Sequence, residues 1–131
     1  MAKETLHCTL ITPAGLAFEG DVDFVAIPAG DGEIGILPHR APLMCELGVG
    51  SLRTRSGDDV QVWFVDAGFA QILDNQVRIL TQQAIPQEEI DRADVLRMLS
   101  EINQMAVTDA LSAQRKARAE ARARIRLRMA R

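Results

Sequence analysis

Residues 32–43 read GEIGILPHRAPL, a stretch that places two glycines and two prolines within twelve residues. Gly32 and Gly35 predict a turn that projects the side chain of Glu33, because glycine adopts the backbone angles that tight turns require. On the residues alone, Glu33 is interpreted as a solvated carboxylate of that turn. The stretch is therefore expected to connect short strands.

The chain on both sides of this stretch, from residue 5 to residue 81, follows the pattern of β-strands. Apolar residues alternate with polar neighbours in three segments, which predicts strands with one buried face: Leu6-Cys8-Leu10, Val22-Phe24-Ala26, and Val77-Ile79 with Arg78 opposed. The run from Val60 to Val65 is apolar on both faces, as in a central strand.

Turn residues separate the predicted strands, and we expect turns at Pro13–Gly15, Gly30–Gly32, Gly48–Gly50, Ser56–Asp59 and Asp74–Asn75. Asp74 and Asn75 predict a two-residue hairpin, because both residue types tolerate positive φ. Short strands with a turn every 8–12 residues or so are typical of a sandwich or barrel.

The periodicity changes from strand to helix at Pro86, which fits the first turn of a helix. Helical spacing then places one apolar stripe on the first predicted helix: Val95, Met98, Leu99, Ile102 and Ala106. Thr108 or Asp109 is expected to cap a second helix that runs to the end of the chain. On that helix one face is expected to pack: Ala117, Ala121, Ile125 and Met129. We expect the two helices to form a hairpin.

The predicted fold is mixed, β then α. An N-terminal antiparallel β-sandwich or flattened barrel of about 8–10 short strands precedes a C-terminal two-helix antiparallel hairpin. The expected domains are residues 1–85 and residues 86–131.

Charge is distributed unevenly along the 131 residues, whose net charge is −3. Residues 115–131 hold eight basic side chains and one acid, so this tail carries +7 and the remainder of the chain carries −10. The beginning of the sequence shows neither a secretory signal nor a transit peptide, and no run approaches the roughly 20 apolar residues of a membrane span. A cytosolic protein is expected.

No pattern in the sequence indicates catalysis or metal binding. His7, His39, Cys8 and Cys45 match no zinc spacing, and the two thiols are expected to be reduced. Gly30-Asp31-Gly32 lacks the Lys-Ser/Thr of a phosphate loop, and no serine lies in a nucleophile elbow. We therefore expect no catalytic residue, no cofactor and no metal.

Residues 32–43, with Pro13–Gly15 before them and Gly48–Gly50 after them, resemble the epsilon subunit family of the rotary (F-type) ATP synthase. The family's signature is Gly-Glu-(Leu/Ile)-Gly-Ile followed by a short Pro-x-His-Ala-Pro-Leu stretch. Length, the order of strands before helices, and the basic tail match as well. The chain departs from the signature at His39-Arg40, because the histidine lies one position early and Arg40 occupies its usual place.

The resemblance implies a non-catalytic subunit of the central stalk, peripheral to the membrane and without direct insertion into it. Its location would be the cytoplasmic face of the bacterial inner membrane. The sandwich would join the gamma shaft subunit to the polar loops of the membrane c-ring. The implied contact residues for shaft and ring are Glu33, Ile34, His39, Arg40 and Pro42.

Three interpretations of the arginine-rich helix stay open on the residues alone: a solvated helix face, a nucleic-acid-binding arm, and a contact with an acidic protein surface. The resemblance favours the third, in which the hairpin meets an acidic loop of the catalytic beta subunit and inhibits ATP hydrolysis. The implied inhibitory residues are Arg115, Arg118, Arg122 and Arg126. The alternative function is a β domain with an Arg-rich nucleic-acid-binding arm, which the acidic body and the few aromatic residues disfavour.

Some bacterial members of the family also bind ATP through Ile/Leu-Asp-x-x-Arg-Ala at the start of the first helix. Ile90 and Asp91 match this motif, but Asp94 stands where the motif has arginine. A carboxylate at that position repels phosphate. We therefore expect weak or absent ATP binding.

Overall fold

The structure is a computed structural model that describes residues 4–30 and 32–131. Its contacts divide the chain into two compact units, Met1–Pro86 and Gln87–Arg131. We call the first unit the head and the second unit the hairpin.

The head is a sheet of eight strands in the described residues, in the order β2-β1-β7-β6-β5-β3-β4, with β8 paired to β6. The strands are β1 Leu6–Thr12, β2 Gly15–Val22, β3 Phe24–Ala29, β4 Gly32–Ile36, β5 Leu43–Ser56, β6 Asp59–Leu73, β7 Gln76–Thr81 and β8 Ala84–Pro86. The sandwich prediction is confirmed. Two details differ from it: β1 and β7 pair in parallel, and β5 and β6, with 14 and 15 residues, are long strands.

Strands β5 and β6 belong to both layers of the sandwich. They pair with each other along their length, while β6 pairs on its other side with β8 at residues 63–65 and with β7 at residues 68–73. One buried core collects side chains from both layers, among them Leu10 and Ile79 from one and Val25 and Leu52 from the other. The rings of Phe18 and Trp63, 5.1 Å apart between centroids, join β2 to β6.

The change of partner along β6 occurs at a strained point of the backbone. Ala67 and Gly68 have φ of 57° and 126°, values that L-residues with a side chain adopt at a cost. A Cβ atom placed on Gly68 would lie 1.8 Å from the carbonyl oxygen of Leu80. Only glycine allows β6 and β7 to approach this closely.

Several local predictions are confirmed. Leu6, Cys8 and Leu10 are fully buried, as are Val77 and Ile79. Asp74 and Asn75, with φ of 50° and 59°, form the two-residue hairpin between β6 and β7. The polar residues of these segments face outward because side chains alternate across a strand.

The turn predicted at Gly48–Gly50 is wrong, because these residues lie inside β5. Their function is close packing: a Cβ on Gly50 would lie 3.1 Å from Cβ of Pro28, and one on Gly48 would lie 3.7 Å from the backbone of Ala29. The two glycines therefore allow β5 to pass beneath the end of β3.

The alternation expected over Val22, Phe24 and Ala26 is correct in part, because Val22 and Ala26 are buried. A bend at Asp23 separates β2 from β3, so the pattern spans two strands. In β3 the three residues 25–27 are all buried, whereas Phe24 is only half-buried.

The hairpin contains a 3-10 turn, Gln87–Glu89, and two helices, α1 Arg92–Asn103 and α2 Ala110–Met129. Asp91 caps α1. Asp109 caps α2 in a capping box with Ser112, which confirms one of the two predicted caps. Hydrogen bonds, above all from the backbone N–H of Ser112, hold the pKa of Asp109 below its usual value.

Pro86 was expected in the first turn of a helix, but it ends β8 opposite Trp63.

The packed faces of the helices match the predictions in part. In α1, Val95 and Ile102 are buried and Met98 and Leu99 are half-buried, whereas Ala106 lies beyond the helix and is exposed. In α2 the buried residues are Ala123 and Met129. Ala117 and Ala121, which were expected to pack, are exposed, because the seam runs through Ala119 and Ala123 instead.

Substitution of Gly68 tests the constraint on β6. Gly68→Ala adds both an unfavourable φ and a steric clash, so we expect it to lower the free energy of unfolding by more than about 3 kcal/mol. Gly15→Ala adds the unfavourable φ alone, since nothing lies within 4 Å of its Cβ, and is expected to cost about 1 kcal/mol. Gly30→Ala adds neither an unfavourable φ nor a clash and serves as the control. Its free energy of unfolding is expected to stay within about 0.5 kcal/mol of the wild-type value. Equal effects of all three in urea unfolding would contradict this account.

Candidate interaction surfaces

Glu33 lies on strand β4 and not on a turn, which corrects the prediction for this residue. β4 is an edge strand in which Glu33 pairs with Pro28 and Ile34 with Ile27. The carboxylate of Glu33 forms an ion pair with Arg53 of β5, and both side chains are partly exposed. Ile34 is half-buried and packs against the core of the head. The pair Glu33–Arg53 is thus a mixed-charge site at the sheet edge.

Gly35 in the same strand has a packing function. A Cβ there would lie 3.0 Å from the ring of Phe24, and the guanidinium of Arg55 lies 5.2 Å from the centroid of that ring on β3. Arginine over an aromatic face is a favourable cation–π arrangement. The second glycine of the signature therefore makes room for an aromatic side chain.

His39, Arg40 and Pro42 lie in the loop between β4 and β5. His39 has φ of 67°, and its backbone N–H donates to Oδ1 of Asn75 at 2.6 Å. Its Nε2 lies 2.9 Å from a carboxylate oxygen of Glu4. Asn75 thereby fixes the loop to the β6–β7 hairpin, and together they form a shallow groove lined by His39, Arg40, Ala41, Pro42, Asp74 and Asn75.

The five predicted contact residues for shaft and ring therefore fall into two groups. His39, Arg40 and Pro42 are exposed in one loop, whereas Glu33 and Ile34 lie about 10 Å or more away along β4, at a rise of about 3.3 Å per residue. Exposed apolar side chains flank the loop at Leu37, Met44 and Leu73. We call this end of the head, the 37–42 loop with the Asp74–Asn75 turn, the rim.

A surface that sequence reasoning missed crosses the outer face of the layer β2-β1-β7-β6. The strand register aligns one apolar side chain from each strand: Leu16, Ile11, Leu80 and Phe69. Leu16, Leu80 and Phe69 are 58%, 53% and 54% exposed, although the outer face of such a sheet is usually polar. We call these four residues the apolar row.

The signal for this row is present in the sequence as consecutive apolar pairs, Leu10-Ile11, Phe69-Ala70 and Ile79-Leu80. In each pair one residue is buried in the core and the other lies on the outer face, where Phe69 and Leu80 are exposed and Ile11 is half-buried. Only the pairing of strands shows that these outer residues are neighbours.

His7 lies on the same outer face, between two carboxylates of the edge strand β2. Its Nδ1 is 3.0 Å from Asp21 and its Nε2 is 3.0 Å from Glu19. Both ring nitrogens donate only when the imidazole is protonated. The hydrogen bond to Asp21, followed by the one to Glu19, raises the pKa of His7 above 6.5.

The outer side of α2 is basic. Arg115, Arg118 and Arg122 of the predicted inhibitory set are exposed on it, and Arg124 and Arg128 are exposed as well. Arg126, the fourth member of the set, is half-buried, and its Nη1 lies 3.8 Å from the sulfur of Met98 in α1. The structure thus places three of the four arginines outward and one toward α1.

In residues 4–30 and 32–131, no group of three or more His, Cys, Asp or Glu is placed to hold a metal ion. Cys8 and Cys45 are free thiols, and burial raises the pKa of Cys8 to about 12, so Cys8 is a packing residue. No helix in these residues combines the length and apolar character that crossing a membrane requires.

Comparison with known proteins agrees with this fold. Residues 5–87 match the family described as "ATP synthase, Delta/Epsilon chain, beta-sandwich domain". The ATP synthase epsilon chain of Rhodopirellula baltica is 38% identical over 127 residues, which cover 97% of this chain and 99% of that one. The epsilon chain of Leptospira interrogans is 35% identical over 109 residues, 83% of this chain and 86% of its own.

Two solved structures share the fold at low sequence identity. A chain of the Euglena gracilis mitochondrial ATP synthase matches with a TM-score of 0.74 at 23% identity, over 97% of this chain and 78% of that one. A chain of the central stalk and c-ring structure of the Tetrahymena thermophila enzyme matches with a TM-score of 0.71 at 18% identity, over 98% of both chains.

The fold class is a β-sandwich followed by a two-helix hairpin. The family match over residues 5–87 and the relative that aligns with nearly the whole chain then identify the family. The chain belongs to the family of ATP synthase epsilon chains, and it is a non-catalytic subunit.

The pairing of His7 predicts a pH-dependent contribution to stability. Because the folded pKa is raised above 6.5, the stabilisation is present in full below that pH and is lost as pH rises through the folded pKa. At pH 6 we expect the free energy of unfolding of the wild type to exceed that of His7→Gln by up to about 1 kcal/mol, which is typical of an exposed ion pair. At pH 9 we expect a smaller difference.

A background that lacks both acceptors, Glu19→Gln with Asp21→Asn, provides the control for His7. There, His7→Gln is expected to have the same effect at pH 6 and at pH 9. An unchanged pH dependence in that background would show that the carboxylates do not act through His7.

Proposed function

We propose that this epsilon chain acts in the central stalk of a rotary ATP synthase, at the cytoplasmic face of a bacterial inner membrane. The head joins the gamma shaft subunit to the c-ring, and the hairpin restrains ATP hydrolysis. The observation that supports the assignment most directly is family membership over almost the whole length of the chain. Three surfaces support the separate parts of the proposal.

The apolar row is the surface best suited to the shaft. Torque requires a contact that does not slip, and a broad apolar contact excludes water and packs closely. Leu16, Ile11, Leu80 and Phe69 extend across four adjacent strands, so the backbone hydrogen bonds of the sheet hold them in line. Glu46, opposite Phe69 in β5, adds a charge at the end of the row.

The rim and the Glu33 site suit the polar loops of the c-ring. His39, Arg40 and Pro42 are exposed on a loop whose backbone Asn75 fixes, and a fixed loop presents its side chains at a low entropic cost. Glu33 and Ile34 contribute a second patch on β4. Arg40 supplies a positive charge at the position where the family signature has histidine.

The basic side of α2 suits the acidic loop of the catalytic beta subunit. Arg115, Arg118 and Arg122 follow one another at spacings of three and four residues and are exposed, so they lie along one side of the helix. Arg126 joins this contact when the hairpin opens and its guanidinium leaves Met98. Family membership supports this contact over the alternative of a nucleic-acid-binding arm.

A charge introduced into the apolar row tests the shaft contact. Phe69→Glu is expected to weaken binding of the chain to purified gamma subunit by at least about 30-fold, since an unpaired charge buried in an apolar contact costs about 2 kcal/mol or more. Val60→Glu is the matched control, because Val60 is 55% exposed on the same strand but outside the row. Calorimetry gives the dissociation constants of both variants for the gamma subunit. Equal weakening by the two substitutions would reject the apolar row as the shaft contact.

Removal of charge from one side of α2 tests the brake. Arg118→Gln with Arg122→Gln is expected to raise the concentration required for half-inhibition of ATP hydrolysis by about 3- to 10-fold, because each exposed ion pair contributes up to about 1 kcal/mol. Arg124→Gln with Arg128→Gln removes the same charge outside the predicted set and is expected to change the half-inhibition concentration less. A chain that ends at residue 86 should not inhibit. If it inhibits hydrolysis as well as the full chain does, the hairpin is not the brake.

A further inference from the structure

At the end of the hairpin opposite its loop, the side chain of Gln87 joins the two chain segments. The Nε2 of Gln87 donates to the carbonyl of Met129 at 2.9 Å, and its Oε1 accepts from Nη2 of Arg131 at 3.2 Å. Met129 ends α2, and the last carbonyls of a helix lack partners within it. A single amide thus uses its donor and its acceptor to join the segment before α1 to the end of α2.

The loop end is fastened by Lys116. Its Nζ donates to the carbonyl of Asn103 at 3.0 Å and lies 3.3 Å from the carbonyl of Met105. Asn103 is the last residue of α1, where the helix dipole favours a cation. Lys116 is the one lysine in a helix whose other basic residues are arginines. Its compact ammonium has three donors and can serve both carbonyl oxygens.

Between these two points the middle of α2 contributes two small side chains to the seam. Ala119 is half-buried and Ala123 is buried. Each alanine removes little apolar area from water, so most of the apolar contact comes from larger buried side chains, Val95 and Ile102 of α1 and Met129 of α2. The polar bonds at the two ends add to this contact and bear on the balance between a folded and an open hairpin.

The first turn of α1 holds a further side-chain pair that bears on this balance. Arg97 forms an ion pair with Asp94, so a carboxylate lies beside this guanidinium. A phosphate group approaching this turn meets Asp94 as well as Arg97. The negative charge of Asp94 therefore disfavours phosphate binding at this turn.

We propose that Gln87 and Lys116 form a two-point clasp that keeps the hairpin folded without a nucleotide. The clasp sets how often α2 is released. Its consequence for ATP hydrolysis rests on the proposed function of the hairpin as a brake. Both residues are positioning residues, because they act on the arrangement of α2 and make no contact with a substrate.

The test is Gln87→Met with Lys116→Met in the full chain. These substitutions keep the unbranched side chains and remove the amide and the ammonium. We expect amide hydrogen exchange in α2 to become about tenfold faster, since each lost hydrogen bond weakens the folded state modestly and released segments exchange more quickly. The matched control, Gln104→Met with Arg124→Met, removes one exposed amide and one exposed cation from the same hairpin and is expected to leave exchange in α2 unchanged.

Helix content from circular dichroism distinguishes release of α2 from a failure to fold. If exchange in α2 is equally fast in the clasp variant and in the control, the clasp is rejected. If millimolar ATP slows exchange in the wild-type chain several-fold, the nucleotide-independent part of the proposal is rejected.

Inhibition of ATP hydrolysis by the reconstituted subunit separates the clasp from the brake. If α2 exchanges faster in the clasp variant and inhibition becomes stronger, both proposals are supported. If α2 exchanges faster and inhibition is unchanged, the clasp is supported and the brake is rejected.

Discussion

The approach of Gly68 to the carbonyl of Leu80 is the constraint on which the head depends. Strands β5 and β6 are shared by both layers of the sandwich, so β6 must change its second partner part of the way along its length. The change takes place at Ala67 and Gly68, where φ is positive and no space remains for a side chain. Leu80 also belongs to the apolar row, so the same close approach that joins β6 to β7 brings Phe69 beside Leu80 on the outer face.

Local patterns predicted the elements whose cause is local. Alternation in β1 and β7, the Asp74–Asn75 turn and the cap at Asp109 depend on residues that are close in sequence. Gly48 and Gly50 misled the prediction because a glycine needed for close packing looks the same in sequence as a glycine needed for a turn. Pro86 was ambiguous for a similar reason, since proline fits both the end of an edge strand and the first turn of a helix.

The candidate surfaces were predictable to a smaller extent, because they are formed by pairing between distant segments. The alternating Ala and Arg pattern of α2 permits two seams, one through Ala117 and Ala121 and one through Ala119 and Ala123. Contacts with α1 select the second seam, and the same selection turns Arg126 inward while Arg118 and Arg122 face outward. Neither the apolar row nor the position of His7 between Glu19 and Asp21 follows from any one segment, since each requires the register of β1, β2 and β7.

The two units are stabilised by different kinds of interaction, and this difference suits different functions. The head has a continuous core whose side chains are fully buried, and such a core resists partial opening because each exposed apolar group loses its packing and meets water. In the hairpin fewer side chains are buried, among them Val95, Ile102, Ala123 and Met129, and polar bonds join its two ends. Polar bonds are exchanged for bonds to water at a small net cost. The proposed functions match this difference. A packed core suits the transmission of force, and a unit joined at its ends by polar bonds suits reversible opening.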